Sequence, residues 1–294
     1  MINRNSLHIC LVLAAVAILP ACTTTDMGSF AQLGALAAGQ DFETAAQIGK
    51  ATTSMAGAVT PMTLESERSL GGGIAVQAYS QIGKRNSDED LQRYINLVGR
   101  TVAANGQRPE VAYTFAVIDN PTPNAFAGPG GYIFISTGSL KVMKNEAELA
   151  GVLAHEVAHI AKKHMIQTYR RASFVSALQE SAAAFDKNAA QYGELVNEAT
   201  KTLFDKGLDK GFEYEADSVG TEIAVISGYD PKGLVIFLKK LETMTDTKGG
   251  WFKTHPPLAE RVNKLNALLA GKLNGENGIE QRERFQKMMS AHLK

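Results

Sequence analysis

The sequence predicts an α+β chain that is mostly helical, and three observations point that way. Apolar residues recur at three- and four-residue steps through most of the chain from about Ile74 onward. Only two short runs, "VAYTFAVI" at 111–118 and "GYIFIS" at 131–136, have the β-branched and aromatic content of strands. The 294 residues are 45% hydrophobic with only 9 prolines, enough to bury a sizeable core as one large domain or two small ones.

Residues 1–21 read as a secretory signal. Arg4 precedes an apolar run from about Leu7 to Leu19, shorter than the roughly 20 residues a membrane-spanning helix needs. From residue 22 to about 70 the chain is rich in Ala, Gly and Thr and reads as a tether with weak helical pieces, ended by a break at Gly71–Gly73. The pattern from Ile74 to Asn105 is helical, with Leu91, Tyr94, Ile95, Val98 and Val102 on one face. The two strand candidates follow, free to pair as neighbours, with "DNPTPNAFAGPG" between them read as a loop.

Asn145, with Glu148 three residues on, resembles a capping box and opens a long helix. A polar, alanine-rich helical region at 172–206 is a candidate lid. Further helices are expected at about 211–227, with Gly228 as the stop, and at 231–244, with Asp230 and Pro231 as cap and first turn. The last run from about Leu258 to Ala270 and from Glu280 to the end. In domain terms this gives a signal at 1–21, a tether at 22–70, a main domain at 71–270 and a helical tail at 271–294.

Lys+Arg and Asp+Glu are both 30, so net charge supplies no attraction to nucleic acid. The 2 cysteines, Cys10 and Cys22, both lie near the N-terminus, which excludes a disulfide framework or cysteine metal cage in the body of the chain.

The chemistry concentrates in "LAGVLAHEVAHIAKKH", residues 149–164. At about 100° per residue, Leu149, Leu153, Val157 and Ile160 form one stripe, while His155 and His159 fall together on the far side. Two imidazoles one turn apart grip a single metal ion, and Glu156, between them in angle, reaches a water there. Two core histidines with a chance glutamate is the bland alternative. His164 lies nearly opposite His155 on the same wheel, so a structural role, capping or packing, is expected of it.

A catalytic zinc takes three protein ligands and keeps one open position. The pattern HExxHxxGxxH would supply the third, but Lys162 and Met165 stand at its last two positions. His255 or a carboxylate remains. "GFEYEADSVG", at 211–220, presents Glu213 and Asp217 one turn apart, the first placed to ligate and the second to hold a ligand histidine's other ring nitrogen. Glu215 points elsewhere on this wheel. Taken alone, the segment reads first as a solvated acidic face; paired with HExxH, the metal-site reading is the better one.

HExxH followed about fifty residues later by ExxAD, preceded by "NAFAGPGGYIFISTGSL" and followed by "THPPLAERV", resembles the zinc metallopeptidase family of HtpX, BepA, LoiP and the CAAX prenyl proteases. The resemblance runs from about Gly72 to Leu268. It implies a gluzincin-like domain in which an HExxH helix, a glutamate-bearing helix and a small sheet surround one zinc ion per chain. On that resemblance His155, His159 and Glu213 are the ligands, Glu156 the general base and Asp217 a support behind the ligands. Asn124, Ala125, Phe126, Gly130, Gly131 and Tyr132 belong to a substrate-binding edge that adds an extended peptide as a strand. His255 is either an inhibitory fourth ligand or an oxyanion stabiliser, with a plain turn histidine as the bland reading; Arg261 reads as a structural ion-pair partner.

"LPAC", at 19–22, resembles a bacterial lipobox, which implies lipidation of Cys22; Thr23, not aspartate, follows it and favours the outer membrane. The alternative is a plain secreted protein cut near Ala21. The resemblances together imply a periplasm-facing, lipid-anchored metalloendopeptidase. Its partners would be misfolded envelope proteins and the outer-membrane assembly machinery, with no nucleic acid. The rival is a zinc-stabilised chaperone or assembly factor that cuts rarely.

Overall fold

The computed structural model describes residues 62–168, 207–244, 255 and 258–293, with isolated positions elsewhere. The signal, Cys22, most of the tether and most of the candidate lid lie outside them. One compact unit, 63–166 with 192–294, carries every element discussed below.

Its helices are α1 (Leu64–Gln81), α2 (Glu89–Ala104), α3 (Thr137–Val142), α4 (Glu146–Ala161), α5 (Lys210–Ile226), α6 (Gly233–Glu242), α7 (Leu258–Ala270) and α8 (Arg282–His292). Its strands are β1 (Thr114–Ile118), β2 (Ala125–Gly128) and β3 (Tyr132–Ser136), in the order β1-β3-β2. β1 runs parallel to β3 and β2 antiparallel to it, in register Ala125↔Ile135 and Phe126↔Phe134. Among the described residues no helix is long and apolar enough to cross a membrane.

Two expectations are corrected here. Gly71–Gly73 does not break the chain: α1 runs straight through it, capped by Thr63, whose hydroxyl accepts from Ser66 N at 3.2 Å. The glycines serve close approach, since a Cβ on Gly71 would stand 1.9 Å from the Pro129 carbonyl and 2.7 Å from the Tyr132 ring. The helix expected from Ile74 to Asn105 is accordingly two, α1 and α2, parted by a non-helical stretch that ends at Asp88, the cap of α2. The second correction is the loop between the strands, which contains β2. "AFAG" has little strand propensity and becomes a strand by pairing with β3.

α4 is the centre of the unit. Asn145 caps it as expected, accepting from Glu148 N at 3.0 Å, and the stripe Leu149, Leu153, Val157 and Ile160 is buried. The amides of Glu146 and Ala147 donate to the Glu280 carbonyl, which satisfies two of the N–H groups a helix start leaves open. Buried Glu146 accepts from Tyr94 Oη at 2.6 Å, Tyr229 Oη at 2.8 Å and the Arg284 guanidinium, so α2, α8 and the start of α4 are tied at one carboxylate. Asp230 is less of a cap than expected: its carboxylate accepts from Lys232 N in a turn, and α6 begins only at Gly233.

The two sheet edges differ. On β1, Asn96 of α2 donates to the Phe115 carbonyl at 2.6 Å and accepts from Phe115 N at 3.2 Å. Gln92, one turn earlier, does the same for Val117, at 3.1 and 3.0 Å. On β2, Ser136 N donates to Asn124 O, so the alternation of an antiparallel ladder turns the backbone groups of Ala125 and Ala127 to the outer side.

Candidate metal centre

Both histidines of α4 are buried on the face away from its apolar stripe, with His155 Nε2 and His159 Nε2 3.0 Å apart. α5 lies across them at backbone contact. A Cβ on Gly220 would meet His155 N and Cα at 2.7 Å, so only glycine lets α5 come this close. That approach delivers Glu213, whose Oε1 is 3.4 Å from His159 Nε2 and whose Oε2 is 3.7 Å from His155 Nε2. His155, His159, Glu213 and His255 each offer a ligand atom, all within 4.8 Å of one another. The sequence expectations for these four positions thus meet in one place.

The donor set fits a metal ion on the chemistry of its atoms. Burial, with the nearby Arg261 charge, holds His155 well below the ordinary imidazole pKa; burial and the neighbouring His155 do the same for His159, so both offer neutral lone pairs. Glu213 is buried, yet the charges of His255 and Arg261 overcome that penalty and hold its carboxyl down at about 2. Among the described residues Glu213 Oε1 and both Glu156 oxygens are buried with no hydrogen-bond partner, a costly arrangement unless something else satisfies them. Two imidazoles and one carboxylate, with the His255 imidazole beside them, are a donor set suited to a divalent metal ion, and these residues would hold one.

Glu156 sits between the histidines, and burial pushes its acid form up to about 7. His255 Nε2 lies 3.6 Å from Glu156 Oε1. Against the burial penalty, the charge of Glu213 raises His255, whose Nδ1 lies 2.9 Å from Glu213 Oε2. The other ring nitrogen, Nε2, lies 3.1 Å from the Ala125 carbonyl on the outer edge of β2. His255 therefore joins the metal cluster to the strand edge.

Asp217 lies behind His155, with Oδ1 3.0 Å from Nδ1. Arg261 is closer to the centre than an ordinary structural ion pair: fully buried, it grips Asp217 by two bonds of 2.7 and 2.8 Å and reaches Glu213 Oε2 at 3.1 Å. The sequence marks it as an ion-pair partner but not its nearness to the cluster, because that comes from the packing of α7 on α5. His164 and Glu215 also differ from the helical-wheel reading. His164 Nδ1 lies 2.9 Å from His159 Nδ1, and its Nε2 lies 3.3 Å from Glu215 Oε2. Of the expected substrate edge, Asn124 to Phe126 and Gly130 to Tyr132 flank and form β2 and the start of β3.

The chain matches the family model described as Peptidase family M48 over residues 89–269. It is 29% identical over 161 residues to a beta-barrel assembly-enhancing protease of Yersinia pestis, covering 52% of this chain and 33% of that one. It is 28% identical over 207 residues to the mitochondrial metalloendopeptidase OMA1 of Schizosaccharomyces pombe, covering 67% and 60%. A 29% identity to the Danio rerio metalloendopeptidase OMA1 covers 54% and 36%. The matches therefore span between a third and three fifths of these curated relatives' lengths. With the model match extending over more than half of its residues, from the start of α2 to the end of α7, the chain belongs to Peptidase family M48.

Proposed function

We propose that this chain is a zinc-dependent metalloendopeptidase that hydrolyses internal peptide bonds of misfolded or unassembled envelope and outer-membrane proteins. The observation that carries the reading is the convergence of His155, His159 and Glu213 beside a buried Glu156 whose oxygens have no hydrogen-bond partner among the described residues. His155, His159 and Glu213 would hold one zinc ion per chain, which would supply a Lewis acid for the scissile carbonyl and for water. Glu156 is the general base, taking a proton from the attacking water and delivering it to the leaving amine. Asp217 fixes His155 through Nδ1, and Arg261 holds Asp217 and Glu213 in place. The outer edge of β2 receives the substrate backbone, a mode that reads main chain more than side chains and suits unfolded clients.

The name of the Yersinia pestis relative ties that protein to β-barrel assembly, which supports the outer-membrane substrate class and an assembly-machinery partner for this chain. "LPAC" supports anchoring through Cys22 on the periplasmic face of the outer membrane. The peptidase domain, taken from sequence as 71–270, begins on this reading at Thr63, the cap of α1, and the tail at 271–294 is bound to it through Arg284 and Glu146.

A second reading is favoured by His255, which bridges Glu213 and the edge carbonyl of Ala125: a zinc-stabilised holding factor that cuts rarely. The mature chain, its metal content determined, is incubated with casein as wild type, Glu156→Gln and His255→Ala. Cleavage that a chelator abolishes and zinc restores, reduced about 100-fold or more in Glu156→Gln, supports the peptidase. Bound zinc with no cleavage in any of the three transfers the assignment to the holding factor.

A further inference from the structure

The two ligand histidines are supported from behind in different ways. His155 Nδ1 lies 3.0 Å from a carboxylate oxygen, Asp217 Oδ1. His159 Nδ1 faces another imidazole, His164 Nδ1 at 2.9 Å, whose far nitrogen faces Glu215 at 3.3 Å. We propose that His164 and Glu215 are a positioning pair that sets the tautomer and ring orientation of His159 for metal binding. The proposal rests on the reading of His159 as a ligand.

The proton count follows from the geometry. A ring that gives Nε2 to a cation carries its proton on Nδ1, so across the 2.9 Å contact His159 donates and His164 accepts. The proton of His164 is then on Nε2, where it points at the Glu215 carboxylate. Each nitrogen in the chain from His159 to Glu215 thus has one role.

Three features build this arrangement. His164 is fully buried, and its ring stacks on Phe212 with centroids 4.4 Å apart and planes at 13°, which fixes the plane in which Nδ1 lies. α4 ends at Ala161, and Lys163 takes φ +58, a left-handed conformation uncommon for a non-glycine residue. That turn folds His164 back beneath His159, where a continued helix would have carried it to the opposite side. Glu215, on α5 two residues from the ligand Glu213, also lies 3.3 Å from Lys162, so the outer end of the chain of bonds is held by a second contact.

The test measures metal affinity by competition with a chromogenic chelator, together with the visible absorption of the cobalt(II)-loaded protein, on the mature chain. His164→Phe keeps a ring to stack on Phe212 but offers no acceptor. The expected result is a loss of zinc affinity of about 10- to 100-fold and an altered cobalt spectrum. His164→Gln, with an amide oxygen to accept from His159, restores most of the loss, and Glu215→Ala weakens binding about 3- to 10-fold in the same direction. Affinity within about twofold of wild type and an unchanged spectrum in both His164→Gln and Glu215→Ala, with His164→Phe either alike or unfolded, overturns the proposal. His155→Ala and Glu213→Ala are the reference: if they also keep wild-type affinity, the ligand reading itself fails, whereas loss in them alone rejects only the positioning pair.

Discussion

The sheet has two outer edges, and they are finished differently. The β1 edge is closed by two side-chain amides, Gln92 and Asn96, one helical turn apart, each bonding both backbone groups of one strand residue. The β2 edge presents Ala125 and Ala127, and among the described residues only the Ala125 carbonyl has a partner, His255. An unpaired strand edge is a template for another strand. The fold therefore ties the edge away from the metal cluster to side-chain amides, whereas the edge beside the cluster, buried along its length, is held among the described residues only through His255.

The largest effect that would break this contrast comes from Ala127→Pro. Proline removes an outward N–H but is tolerated on an edge strand, so folding should survive while strand addition loses a donor. The expected result is a fall of about 10- to 100-fold in kcat/KM for an unfolded protein substrate, with zinc content unchanged. Retained kcat/KM would remove β2 from the substrate path.

The opposite change is made on the sealed edge. Gln92→Ala leaves Val117 N without its acceptor, while Val117 O still accepts from Asn86 N at 2.9 Å. One orphaned buried N–H costs about 1–3 kcal/mol, readable as a lowered denaturation midpoint. Cleavage per folded molecule should not change, because β1 lies on the far side of β3 from the site. A loss of activity equal to that of Ala127→Pro would mean that the two edges are not functionally distinct.

A third change tests how closely the catalytic side is packed. Gly220→Ala places a methyl against the His155 backbone, and overpacking of this kind costs about 1–3 kcal/mol while displacing α5. Zinc affinity should fall with stability, since Glu213 and Asp217 move with that helix. Unchanged zinc affinity would show that the approach of α5 is not what positions the third ligand.

What could be read from the sequence is what helical periodicity governs. His155, Glu156 and His159 lie on one helix and Glu213 with Asp217 on another, so their spacing alone put each set on one face. The rest depended on contacts between elements. β2 is four small or aromatic residues bounded by turn formers, and only β3 makes it a strand. Gly71–Gly73 looks like a break because glycine is a poor helix former, yet packing against Pro129 and Tyr132 keeps it helical. The packing role expected of His164 fits its stacking on Phe212, but its place beneath His159 is not on a helical wheel, because the helix does not continue through Lys163. Gln92 and Asn96 carried a legible signal, two amides at i and i+4 beside a buried stripe, whose meaning needed the neighbouring strand.

The smallest expected effect is the change in KM from altering His255, where the β2 edge and the metal cluster meet. His255→Ala frees the Ala125 carbonyl, while Arg261 still pairs with Glu213 at 3.1 Å and keeps that carboxylate ionised. Zinc should therefore remain bound. A peptide strand that no longer has to take Ala125 O from an imidazole binds more readily, so KM for an unfolded substrate should fall about threefold, the order of one modest hydrogen bond. The effect on kcat then separates the two roles. A histidine that only gates the edge leaves kcat unchanged, because the interaction it removes is made before the transition state. A histidine that stabilises the developing oxyanion lowers kcat by about 100-fold when removed, and steady-state kinetics of this one variant distinguishes the two.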